Sequence, residues 1–398
     1  RIITSTLPML EELAQGTHFL KLFQLPQWKR NLFLVGEGGL YVEDLCNYIH
    51  DRGDLPLVMS MRLWQLKYIL KWKPQGLFTI NFVPGLEYFC EANKLLYACW
   101  EIDPNMDPIE RYPMQTQKYE YSKMFTYRKK HIPMYERLGL PSQYLPLAAP
   151  VYRKEVSAVD PMYKQNLTFV GSSMNNEGKK SIAKLHSILE TKMSLPDIRS
   201  FITRAVLHQK NHPDTYLIDD YFAQNLSQHK TWFPKENLPI LLGEYCASLR
   251  RLEYCTMVAK WGLDVWGDSG WEEIKDSGAR IRGKVGYFET INHVYSNGGI
   301  HLDINRLYQN DMITLRVFEV LACGGFILAE YSEALEELFE IGTEIEAWRT
   351  KEELLDKIDF YIDKPNLRDT IRRKGQSIVH QRHMFAQKMN YIMENMPS

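Results

Sequence analysis

An arginine and two carboxylates stand at set intervals in an otherwise apolar stretch: Asp311, Arg316 and Glu319 in Asp311-Met-Ile-Thr-Leu-Arg-Val-Phe-Glu-Val-Leu-Ala-Cys-Gly-Gly-Phe-Ile-Leu-Ala329. A helix that begins after the loop 311–314 presents unpaired backbone N–H groups and a positive dipole end at Met312, Ile313, Thr314 and Leu315, which suits a diphosphate. Arg316 adds a charge-assisted donor to the same anion. Glu319, one to two turns in, offers two acceptor oxygens matched to the two hydroxyls of a ribose. Plainer readings stand beside these. Asp311 serves equally as an N-cap near Thr314, and Arg316 with Glu319 as an i, i+3 ion pair on a helix surface.

The elements that must hold these groups follow from periodicity. Leu315, Phe318 and Ala322 share one helical face, with Leu321 beside them, and Arg316, Glu319 and Cys323 share another. Gly324-Gly325 ends the helix where a positive φ is wanted, and Phe326–Glu330 resumes as a buried strand. Upstream, a strand at 166–170 runs into Gly171-Ser172-Ser173 and a helix, a βα turn of the nucleotide-binding kind. It is not a Walker A loop, because Lys180 follows Gly178-Lys179 where Ser or Thr belongs. Residues 193–258 read as mainly helical. Strands are predicted at 263–267, 279–285, 300–304, 326–330 and 343–348, with closing helices at 351–362, 367–380 and 385–393.

The N-terminal half alternates in the same way. Strands at 31–36, 55–59, 77–82, 95–100 and 124–127 are separated by helices, which favours a parallel sheet with its site at the carboxyl ends. Glu37, Gly38, Gly39, Asn81 and Asp103 fall at those ends. Glu37 and Asp103 are candidate general bases, and Gly38, Gly39 and Asn81 form a candidate acceptor-side loop. The alternatives are a tight βα turn for the glycines, a turn residue for Asn81 and a turn cap for Asp103. Val-Gly-Glu-Gly-Gly lacks the dinucleotide fingerprint spacing. The basic, aromatic helix at 61–73 reads as a solvated amphipathic layer, or as a weak membrane-surface contact.

Composition narrows the class. The 398 residues carry 48 Lys and Arg against 49 Asp and Glu, so no global field draws nucleic acid. The six cysteines form no CxxC and sit in apolar runs, as expected of reduced thiols in a cytoplasmic protein. The histidines have no metal-ligand spacing and no GxSxG occurs, so neither a metal nor a serine nucleophile is expected. No apolar run reaches the ~18 residues of a membrane span. The chain opens at Arg1, which leaves room for residues upstream.

The run Ile304-Asn305-Arg306 through Met312 to Phe326 resembles the C-terminal domain of GT-B glycosyltransferases, in particular the group related to the spore-maturation protein CgeB. Glu336-Glu-Leu-Phe, Trp348-Arg-Thr-Lys-Glu-Glu-Leu and Gly375-Gln-Ser-Ile-Val-His are similar as well, as are Leu77–Phe82 and Tyr97–Pro104 to that group's N-terminal domain. The resemblance implies two Rossmann-like α/β domains facing across a cleft: an acceptor-side domain at 1–155, a nucleotide-sugar-binding domain at 156–375, and a terminal helix at 376–398 crossing back. It implies transfer of a hexosyl-type sugar from a nucleoside diphosphate sugar to a hydroxyl of a glycan or protein, with no metal or other cofactor. Glu319 then matches the second carboxylate of an E-x7-E pattern and Asp311 the first, in a place where many relatives have Glu. Gly171 and Ser172 match the turn near the diphosphate, and Asn305 and Arg306 join the donor set. An epimerase or phosphorylase on the same scaffold, or a non-catalytic nucleotide-sugar-binding protein, are the rival expectations.

Overall fold

The computed structural model describes residues 3–4, 31–37, 40–62, 65–67, 70–103 and 118–396. They form two compact units. One holds the described residues up to Val151 together with those from Phe385 onward, and the other holds Tyr152–Met384. Arg153, expected in the first domain, belongs to the second, and the helix Pro365–Arg382 continues through the expected division at 375. The candidate loop residues Gly38 and Gly39, and positions 63, 64, 68 and 69 of the basic, aromatic stretch, lie outside the described residues.

In the first unit, β1 (Ile3–Thr4), β2 (Leu32–Gly36), β3 (Leu55–Met59), β4 (Gly76–Ile80), β5 (Leu96–Glu101), β6 (Ser122–Thr126) and β7 (Ser142–Tyr144) form one parallel sheet. Its order is β1-β3-β2-β4-β5-β6-β7. Helices α1 (Val42–Asp51), α2 (Leu86–Asn93) and α3 (Ile132–Arg137) connect these strands. Strands β2 to β5 are almost wholly buried, which is why they read as continuous apolar runs rather than as alternation.

The second unit has β8 (Leu167–Val170), β9 (Leu263–Trp266), β10 (Arg280–Gly283), β11 (Ile300–Leu302), β12 (Phe326–Glu330) and β13 (Glu346–Trp348). They are parallel in the order β10-β9-β8-β11-β12-β13. Strand order reverses between β8 and β11, so a crevice opens beyond their carboxyl ends. A helical layer stands between β8 and β9: α4 (Asn175–Leu189), α5 (Leu195–Lys210), α6 (Ile218–Asn225), α7 (His229–Trp232) and α8 (Leu238–Val258). It has an apolar core of its own around Leu185, Ile198, Phe201, Phe222 and Leu242. The sheet core is Leu167, Phe169, Val265, Ile300, Leu302, Phe326, Leu328 and Trp348. Asp219 and Asp220 are exposed in the first turn of α6, a solvated face.

After α9 (Thr290–Tyr295) and β11 comes α10 (Leu315–Ala322). Gly324, at φ 69°, stops α10, and Gly325 donates to the Val320 carbonyl at 2.8 Å. A Cβ on Gly325 would lie 2.4 Å from the Tyr295 carbonyl, so the turn into β12 requires a bare backbone there. α11 (Glu333–Leu338), α12 (Lys351–Ile362) and α13 (Pro365–Arg382) complete the unit.

The final helix, α14 (Phe385–Glu394), returns to the first unit. Its Phe385 ring packs against Tyr41 and Trp100, with centroids at 5.2 and 6.0 Å. The Phe385 amide donates to the Ala149 carbonyl at 2.9 Å. Among the described residues no helix is long and apolar enough to cross a membrane.

Candidate functional site

The strand-order reversal of the second unit brings together the loops after β8 and β11 and the start of α10. Asp303, buried just past β11, is the hub: the Thr314 hydroxyl donates to its Oδ1 at 2.8 Å, and Arg316 pairs with the same oxygen. Arg316 also donates from Nε to the Val170 carbonyl at 2.6 Å, and its guanidinium lies 4.6 Å from the centroid of the Phe169 ring. Arg316 therefore does not pair with Glu319; it fastens α10 to the ends of β8 and β11. Gly171 is needed at this crossing, because a Cβ there would sit 2.5 Å from Arg316 Nη2.

A second arginine, not anticipated from the sequence, occupies the same place. Arg251 of α8 donates to the Ser172 carbonyl at 2.8 Å and to the Ile304 carbonyl at 2.7 Å, so it ties both loops. Its guanidinium lies 5.5 Å from the Phe169 ring centroid, on the ring that Arg316 also covers. Its Nε is buried without a hydrogen-bond partner, and both of its bonds go to neutral carbonyls. Burial first, then the charges of Arg316 and Arg306, pull its pKa down to about 9. A buried cation beside two others lowers its energy by acquiring an anion. The sequence signal was only Arg250-Arg251 inside a long helix; nothing local told one from the other. Arg250 in fact turns away and grips Glu330 with two bonds of 3.1 and 2.7 Å.

Of the other expected donor residues, Ser172 is exposed, and its Oγ accepts from the Met174 amide at 2.9 Å. Asn305 is buried; its amide donates to Glu330 at 2.7 Å, while its Oδ1 is buried without a partner. Arg306 is half-buried and donates to the Tyr308 hydroxyl at 3.0 Å. Met312 and Ile313 are buried. α10 begins only at Leu315, with Thr314 in the N-cap position and its hydroxyl turned to Asp303, so Asp311 is not the cap of this helix. Asp311 is half-buried four residues ahead of the helix start.

Glu319 lies deeper along α10 and is 4% exposed. Arg153 reaches its Oε1 through Nη2 at 2.7 Å and Nε at 2.9 Å, and the Tyr287 hydroxyl donates to the same oxygen at 2.9 Å. Arg153 donates further to the Tyr287 and Phe288 carbonyls at 2.7 and 3.1 Å. Burial opposes the Arg153 charge, but Glu319, Tyr287 and Tyr295 outweigh it and hold its pKa above the ordinary value. Burial, then the Glu319 charge, pushes the Tyr287 hydroxyl up, so it stays a donor. These bonds converge on Oε1.

In the first unit the strand-end residues assemble in part. Asn81, at φ 66°, accepts from the Ile102 and Asp103 amides at 2.8 and 2.9 Å and donates to Asp103 Oδ2 at 3.3 Å. Asn81 is thus a strand-end turn residue that orders Asp103. Glu37 is exposed beyond β2, its amide bonded to the Met59 carbonyl. Among the described residues no three His, Cys, Asp or Glu side chains group as a metal site would need.

Residues 246–394 match a family model described as glycosyl transferase-like. No curated protein sequence matches the chain. Among solved structures, a glycosyltransferase from Rickettsia africae is similar at 11% identity and a TM-score of 0.58, over 92% of this chain and 98% of that one. A sucrose-phosphate synthase from Thermosynechococcus elongatus is similar at 9% identity and a TM-score of 0.55, over 92% and 98%. HepE of Anabaena, in complex with UDP, is similar at 10% identity and a TM-score of 0.51, over 92% and 98%. The fold is that of the GT-B glycosyltransferases, and the glycosyl transferase-like match is confined to residues 246–394.

Proposed function

We propose that the protein transfers a sugar, of hexosyl type, from a nucleoside diphosphate sugar to a hydroxyl of a glycan or protein, as a member of the CgeB-like group acting in the cytoplasm. The observation that carries this reading is the meeting of Arg251 and Arg316 on Phe169 at the strand-order reversal, beside Arg306 and the start of α10. An anion with two linked charges suits that place. In this reading Arg251, Arg316 and the first-turn N–H groups of α10 receive the diphosphate. They stabilise it as negative charge develops when the bond between the anomeric carbon and the phosphate oxygen breaks. No metal is called for, because side-chain and backbone donors supply the positive field.

Glu319 takes the ribose through Oε2, with Arg153 and Tyr287 fixing the carboxylate from behind. Asn305 and Arg306 complete the donor side, and Asp311 is the candidate contact to the donor sugar. The resemblance of 304–326 to the GT-B donor domain supports the same assignment.

Calorimetric titration of UDP, GDP and dTDP into wild type, Arg251→Met and Glu319→Gln tests it. One of the three nucleotides is expected to bind wild type, with each variant at least tenfold weaker. Equal affinity across the three proteins would sink the assignment.

A further inference from the structure

The helical layer of the second unit borders a cavity that the donor reading does not use. Its volume is about 270 Å³, and it lies against α5, α8 and the start of α12. Val206, Cys246, Leu249 and Leu307 supply apolar wall. Small-molecule pockets are built this way, mostly apolar with a few polar groups, and this one lies near the lower end of their size range.

The polar groups in the wall are unevenly matched. Lys210 ends α5 and Lys351 opens α12, and both reach Glu253 of α8, at 3.9 and 2.8 Å. Two ammonium groups on one carboxylate leave one positive charge over. Lys351 stands at a helix N-terminus, where the dipole disfavours a cation, so the helix itself does not account for it. Arg250, on the same wall, is already matched by its two bonds to Glu330 and faces Asp214, so the surplus belongs to the lysine pair. Tyr254 also lines the cavity. It is 1% exposed, and its hydroxyl has no hydrogen-bond partner among the described residues. A buried, unpaired hydroxyl is a cost that an acceptor atom removes.

The cavity shares a wall with the loop after β11. Leu307 stands two residues past Asn305. Arg250 donates to the Asn305 carbonyl at 3.4 Å, and Glu330 accepts from the Asn305 amide at 2.7 Å. Arg251, the next residue of α8, holds the Ile304 carbonyl. An occupant of the cavity therefore bears on residues 304–307 through Leu307 and Arg250.

We propose that this cavity is a second, regulatory binding site for a small amphipathic carboxylate. Its aliphatic tail lies among Val206, Cys246, Leu249 and Leu307, and its carboxylate takes up the surplus charge of Lys210 and Lys351. The effect on the donor loop rests on the glycosyltransferase reading; the site itself does not.

The test is calorimetric titration of the full chain with octanoate, and with 1-octanol and octylammonium, which keep the tail and change the head. Octanoate is expected to bind once per chain, at least tenfold tighter than either analogue. Lys351→Gln should weaken octanoate at least fivefold and leave 1-octanol within twofold. Leu249→Glu, which places an anion on the apolar wall, should weaken octanoate at least tenfold. The two side chains are 33% and 37% exposed, so both variants are expected to melt as wild type does. No octanoate binding, octylammonium binding as tight as octanoate, or undiminished octanoate binding by either variant overturns the site. Saturating octanoate should also change the UDP, GDP or dTDP affinity of wild type at least threefold, and the nucleotide should change octanoate affinity by the same factor. Equal nucleotide affinity with and without octanoate overturns the regulatory role. Failure of wild type to bind any nucleotide counts instead against the donor reading, and the octanoate titrations still decide the cavity.

Discussion

Arg153 and Glu319, 166 residues apart, form a buried ion pair with two contacts of 2.7 and 2.9 Å to one carboxylate oxygen. Removing one partner strands the other charge, whereas removing both does not. Arg153→Leu is expected to lower stability by about 3–5 kcal/mol, and Arg153→Leu with Glu319→Leu to recover most of that loss. Urea unfolding of the single and double variants measures the coupling. Additive losses would mean that the two charges do not depend on each other.

Arg251 makes a signed prediction about pH. Its folded-state pKa, about 9, lies below its ordinary value, so the unfolded chain holds that proton more tightly. The cost of its charge is fully present below about pH 9 and is relieved as pH rises from there toward the ordinary arginine range. A bound anion reverses the shift. Inorganic pyrophosphate at 100 times its dissociation constant is expected to stabilise wild type by about 2.7 kcal/mol at neutral pH. Arg251→Met should lose most of that gain. Thermal unfolding with and without pyrophosphate checks both.

Gly171→Ala adds one methyl group at 2.5 Å from Arg316 Nη2. The guanidinium must move, and with it the Arg316 contacts to Val170 and Asp303. Weaker nucleotide binding by tenfold or more is expected with a small change in stability, of about 1–2 kcal/mol. Undiminished UDP or GDP binding would show that the position of Arg316 does not matter to the anion.

Lys388 is buried on α14, and desolvation pulls its pKa down to about 8. Below that pH the folded state carries a costly charge, and stability rises as pH climbs from about 8 toward the ordinary lysine range. Lys388→Met should therefore abolish that rise, leaving stability level between about pH 8 and the ordinary lysine range. Melting curves of both proteins across that range test the sign.

The elements were legible because parallel strands buried on both faces read as apolar runs. Leu55–Met59 and Phe326–Glu330 appear where periodicity places them, as do the helices Leu86–Asn93 and Lys351–Ile362. β1 was not read, since two residues carry no period. The site was legible only along the chain. Arg316, Glu319 and Gly171 stood out by local spacing, but Asp303 and Arg153, the partners of Arg316 and Glu319, and Arg251, which shares the Phe169 ring with Arg316, are brought there by the fold. Such pairings join elements up to 166 residues apart, and no local pattern encodes them.

The helix Phe385–Glu394 sets an order of events during synthesis. Phe385, Met389 and Ile392 are buried core of the first unit, yet more than 230 residues of the second unit are translated between them and Val151. On the ribosome the first unit must wait with an open seam along Tyr41 and Trp100 until the second has emerged. A stop codon just after Met384 would leave every residue of the second unit in place and cripple the first.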